Sequence, residues 1–74
     1  MPHVNIKYFP TPVGEEQSAR LVAAITAALT ENLGCGEDAV SIALEPVDPS
    51  EWNERVYLPE VVERRELLHK LPNY

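Results

Sequence analysis

The opening segment, MPHVNIKYF, holds the residue with the most distinctive chemistry in the chain, Pro2. Proline is tolerated as the first residue of a strand, because its missing N–H costs no ladder bond there. If Met1 is removed, Pro2 carries a free secondary amine fixed at a strand end. A free α-amino group titrates at roughly pH 7.7–8, and a proline amine is intrinsically more basic. Partial burial or a nearby cation lowers that value, since both disfavour the ammonium form. A base poised near neutral pH is where proton transfer works best. With Met1 attached, the same nitrogen is an amide and has no basicity.

The other reactive side chains form no constellation. Cys35 is the single cysteine, so no intrachain disulfide can form, and nothing beside it in sequence would activate its thiol. His3 and His69 are far apart, and no metal-ligand spacing is present. His3 adjoins Pro2, but strand alternation points it to the opposite side. His69 falls near the end of an expected helix, where a cation complements the dipole. Neither a metal nor a cofactor is expected.

A chain of 74 residues makes one domain, spanning 1–74. A core of this size supplies only a few kcal/mol of net stability, so oligomerisation is the expected support. The apolar fraction of 45% argues against disorder. A net charge of −6 argues against a phosphate-backbone partner, which would need clustered Lys and Arg. No apolar run approaches the roughly 20 residues that span a bilayer. The N-terminus lacks the pattern of a signal peptide. The expected location is the cytoplasm.

The elements that position Pro2 follow from periodicity. Val4, Ile6 and Tyr8 alternate with Asn5, Lys7 and Phe9, which predicts a strand over 3–9. PTPVG at 10–14 stops it. Glu15 and Glu16 suit a helix N-terminus. Leu21, Ala24, Ile25, Ala28 and Leu29 then share one helical face, and Gly34 supplies the C-terminal stop. GCGED at 34–38 predicts a turn, and AVSIALEPV at 39–47 a second strand with Val40, Ile42 and Leu44 on one side. Strand, helix, strand makes a βαβ unit with parallel strands and a right-handed crossover. Asp48-Pro49-Ser50-Glu51 is a helix start that carries through Trp52. Pro59 is expected to interrupt it. Residues 60–70 read as helix again, with Val61, Val62, Leu67, Leu68 and Leu71 as anchors. Two strands alone are marginal. Two copies would make a four-stranded sheet under two helices, so the fold class is α+β and the smallest stable unit a homodimer.

The initial Pro2, the βαβ length and the segments PHVNIKYFP, SIALEPV and EW resemble the 4-oxalocrotonate tautomerase family. The likeness is greatest to its PptA-type branch of small dimeric tautomerases. That branch has a similar Pro-His-aliphatic strand ending in Phe-Pro, a Ser-Ile-Ala-Leu strand, a tryptophan soon after it, and an ending near Pro-x-Tyr, here Pro72-Asn73-Tyr74. The likeness spans nearly the whole chain.

The resemblance implies a cofactor-independent isomerase. Its N-terminal proline, exposed by methionine removal, moves a proton between the carbon and oxygen of a 2-oxo acid or its enol. That role falls on Pro2. The family's type members hold the substrate with two arginines. Aligned from Pro2, those positions fall at or beside Pro12 and at Ser41, and neither is basic. An aromatic 2-oxo acid such as phenylpyruvate is therefore expected rather than a dicarboxylate. The family's aromatic wall maps to Trp52, with core packing as the alternative. The substrate carboxylate still calls for a cation, from among Lys7, Arg55, Arg64, Arg65 and Lys70. Lys7 and Arg55 are the ones assigned here, because helical charges such as Arg64, Arg65 and Lys70 usually form a solvated face. The competing reading is a non-catalytic dimerisation module on the same scaffold. A dimer is expected rather than a hexamer, because the segment 52–74 has helical chemistry and lacks the Gly-rich hairpin of the type member.

Overall fold

Alternation at one end of the chain and a 3.6-residue period after it produce a strand and then a helix. The computed structural model describes residues 1–74. Strand β1 is His3–Tyr8, helix α1 is Glu15–Leu33, and strand β2 is Ser41–Pro46. The two strands form a two-stranded sheet. Ser41 N–H donates to the Pro2 carbonyl at 3.2 Å and Val47 N–H to the Tyr8 carbonyl at 2.8 Å. Both pairs have the same sequence offset, so the strands run parallel, as a βαβ unit requires.

Contacts group the chain into two units. The first comprises Met1–Ile6 and Thr11–Glu45. In it, Pro2, Val4 and Ile6 are half-buried while His3 and Asn5 are exposed, so the predicted alternation holds. The exposed face is tied by side chains, His3 Nδ1 to Ser41 Oγ at 2.6 Å and Asn5 Nδ2 donating to Glu45 Oε1 at 3.0 Å. Helix α1 starts after Gly14, whose N–H donates to Gln17 Oε1 at 3.0 Å. It ends at Gly34, where φ is 71°, a left-handed conformation that glycine adopts without steric cost. No residue of α1 is buried.

The second unit comprises Lys7–Pro10 and Pro46–Tyr74. Its core is Val47, fully buried, and Val56, 7% exposed. Asp48 starts the chain's next turn, Pro49–Glu51, and its Oδ1 accepts from both the Ser50 hydroxyl at 2.6 Å and the Ser50 N–H at 2.9 Å. A wide helix, Asn53–Val62, follows, and a short turn at Arg65–Leu67 comes last.

Four expectations are corrected. Pro59 does not interrupt the helix, which runs through it. That helix is of the π type, closed by Glu63 N–H donating to the Leu58 carbonyl five residues back at 3.0 Å. The wider coil moves the carbonyl that the proline ring would otherwise strike. Residues 60–70 do not form one helix, because it stops at Val62. Glu63, Arg64, Arg65 and Glu66 offer four consecutive charges and no apolar anchor to hold a further turn. His69 therefore lies beyond the last turn rather than at a helix C-terminus. The second strand is shorter than expected, since Glu37–Ala39 is a tight turn and the strand ends at Pro46, beyond which the buried Val47 keeps only its N–H bond to Tyr8.

The Asp48 cap carries a pH dependence. The Ser50 hydroxyl, and after it the Ser50 N–H, stabilise the carboxylate and hold its pKa below the usual 3.8. A depressed folded-state value contributes stability above the unfolded pKa that is lost as pH falls through the folded one. Asn caps equally well but does not titrate. Urea midpoints of the parent and Asp48→Asn should therefore differ most at neutral pH, in the parent's favour. They should converge as the pH falls below about 3.8.

Candidate active site

Pro2 stands immediately before β1, and its role in the sheet uses its carbonyl, which accepts from Ser41. Its nitrogen takes no part in the ladder. Met1, the residue joined to that nitrogen, is fully exposed. His3 is turned to the exposed face and engaged with Ser41.

The second unit contains a cavity of about 520 Å3 lined by Lys7, Tyr8, Phe9, Trp52 and Tyr74. That volume suits a small organic molecule. The walls are aromatic apart from Lys7. Trp52 meets the edge of Phe9 with ring centroids 5.0 Å apart and planes at 89°, a favoured T-shaped pair. The Trp52 indole N–H donates to Tyr74 Oη at 3.2 Å. The Tyr74 ring in turn lies 5.7 Å from that of Tyr57.

Two of the expected substrate-binding residues, Lys7 and Trp52, thus line one cavity. Lys7 does so beside Tyr8, its neighbour at the end of β1. Arg55 is not part of the wall; its guanidinium lies 3.9 Å from Glu51, one turn back on the exposed surface. Arg64, Arg65 and Lys70 are exposed and also stand outside the wall. The Cys35 thiol points at the Leu29 carbonyl, 3.8 Å away near the end of α1, which is a structural contact.

Sequence reasoning missed Tyr8, Phe9 and Tyr74 as walls, and Glu60 as the ion-pair partner of Lys7. The structure gathers the walls. The chain's one Trp, one Phe and three Tyr all fall in the second unit. Nothing local announces Glu60, which is 53 residues from Lys7.

Glu60 partly neutralises the one cation in the cavity. Its side chain is 41% exposed, so water screens the pair and its worth is modest. Glu60→Gln keeps the shape and frees the charge of Lys7. Affinity for a small carboxylate should rise about two- to fivefold, read by ligand titration of Trp52 fluorescence.

A comparison with family models matches residues 2–54 to the family described as tautomerase enzymes. The chain belongs to the tautomerase family. The matched span begins at Pro2 and takes in Lys7 and Trp52. Among curated relatives of this family, the chain is similar to Tautomerase PptA of Escherichia coli O139:H28. The two are 36% identical over 74 residues, which cover all of this chain and 97% of the relative. Tautomerase PptA of Pectobacterium carotovorum subsp. carotovorum is 31% identical over 74 residues, with the same coverage of both chains. The βαβ order described above is therefore that of a tautomerase-family chain, and the family is one of isomerases. No helix is long and apolar enough to cross a membrane.

Proposed function

We propose that the chain is a cofactor-independent tautomerase of the cytoplasm that interconverts the keto and enol forms of 2-oxo acids, with phenylpyruvate-like acids as substrates. Pro2, freed by removal of Met1, is the general base. In the enol-to-keto direction its amine takes the proton from the enol oxygen, and the resulting ammonium delivers a proton to the adjacent benzylic carbon. The two transfers balance, so the base is regenerated without a cofactor.

The observation that carries this reading is the division of labour at Pro2. Its carbonyl serves the sheet, while its nitrogen serves nothing in the fold and adjoins a fully exposed Met1. Lys7 and Trp52 are assigned to holding the substrate. Lys7 supplies positive charge for the carboxylate, and Trp52 a flat apolar wall for the aryl group. Aromatic walls support an aryl substrate over a dicarboxylate.

The functional unit is a homodimer. Within one chain, only Val47 and Val56 are buried, and both lie in the second unit. The first unit buries no residue completely, and α1 leaves Leu21, Val22 and Leu33 exposed at 41%, 37% and 64%. A second copy covering such surface is what a chain of this length needs to hold its fold.

The test is ketonisation of phenylpyruvate enol, followed by ultraviolet absorbance, on protein whose loss of Met1 has been verified by mass. Turnover above the buffer rate is expected. An intact dimer without turnover would leave the non-catalytic module as the reading.

A further inference from the structure

Tyr74 has a polarity that its hydrogen bond dictates. Indole nitrogen can only donate. At 3.2 Å, the Tyr74 oxygen must therefore accept from Trp52. The phenol's own proton is left for another acceptor, which water supplies in the free protein, since Tyr74 is 68% exposed. A hydroxyl that accepts one hydrogen bond becomes a better donor of its own. The ring is held on another side by Tyr57, at 5.7 Å and a 42° tilt. Lys7, the charged member of the wall, is already paired with Glu60. The cavity thus presents aromatic faces, a partly neutralised cation and two phenol hydroxyls, of Tyr8 and Tyr74, of which that of Tyr74 is oriented by the Trp52 indole.

We propose that Tyr74 is a specificity-determining residue. Its hydroxyl, oriented by Trp52, donates to the carboxylate or 2-oxo oxygen of an aromatic acid seated against Phe9 and Trp52. This deepens the tautomerase reading by naming how its substrate is selected, and rests on that reading only for the chemistry that follows binding. A phenol donor also fits a compact aryl acid, where a neutral hydrogen bond and stacking share the task with one lysine.

Trp52 is the only tryptophan, so it reports the cavity directly. The experiment titrates its fluorescence with 3-phenylpropionate, which has no 2-oxo group and does not react, and with hexanoate, which has no ring. The parent should bind 3-phenylpropionate more tightly than hexanoate. Tyr74→Phe keeps the ring and its packing but removes the donor. It should raise the Kd for 3-phenylpropionate about 3- to 10-fold, the worth of one net hydrogen bond. The KM for phenylpyruvate should rise by the same factor with kcat nearly unchanged. A purely structural Tyr74 would leave Kd and KM where they were, and that result overturns the proposal. Equal binding of hexanoate and 3-phenylpropionate overturns it too. Should Tyr74→Phe fail to fold, the parent alone decides. Its single indole N–H resonance should move on adding 3-phenylpropionate, and a resonance that stays put at saturating ligand refutes the contact. Tyr74-dependent binding in a protein without turnover upholds this inference and removes the tautomerase reading. Turnover with Tyr74-independent binding does the reverse.

Discussion

A residue placed before Pro2 should abolish catalysis and leave the fold intact. The reacting atom is the backbone nitrogen, and acylating it turns a base into an amide. General-base catalysis then has no base, so ketonisation should fall to the buffer rate. The fold should be indifferent, because the Pro2 contact within the sheet is made by its carbonyl, which accepts from Ser41. The exposure of Met1 shows that a residue at that position packs against nothing. Pro2→Ala makes the complementary point. It still loses Met1 and keeps a primary amine, so activity should survive but drop about ten- to thousandfold, on the order of 1.4–4 kcal/mol of barrier. Three proteins suffice for the comparison: the processed form, Pro2→Ala and an extended form checked by mass, with sedimentation as the control for folding. An extended form as active as the processed one would remove Pro2 as the base.

Thermal stability should depend strongly on protein concentration. When folding and dimerisation are one event, mass action couples them, and each tenfold dilution removes about 1.4 kcal/mol of dimer stability. With ordinary unfolding entropies for a dimer of this size, Tm should fall by about 4 °C per tenfold dilution. The expectation comes from how little one chain buries, two valines in the second unit and nothing in the first. A Tm that does not move over a hundredfold range would mean that one chain is stable alone. Sedimentation equilibrium gives the stoichiometry independently. A mass near twice 8.3 kDa is expected, and a stable hexamer at micromolar concentration would contradict the dimer.

The sequence by itself determined whatever depends on neighbouring residues. Alternation of Val4 and Ile6 with His3 and Asn5 set the first strand and its buried face. Gly34 ended α1 because a left-handed residue was needed there, and Asp48 capped the following turn through Ser50, two residues on. Pro2 stood out by position as the residue whose nitrogen becomes a secondary amine if Met1 is removed. These are short-range effects, governed by backbone dihedrals and hydrogen bonds that reach only a few residues.

The tertiary structure decided which side chains meet. Lys7 and Glu60 pair across 53 residues, and Trp52 and Tyr74 across 22. No periodicity encodes such a meeting. It follows from how the segment after β2 returns to the end of β1 within the second unit. The same packing chose between two cations that looked alike in sequence. Lys7 lines the cavity, while Arg55 turns to Glu51 in the preceding turn, on the exposed surface. It also let the wide helix pass through Pro59, where a local rule predicted a break, because the coil could expand around the proline ring while Val56 stayed in the core.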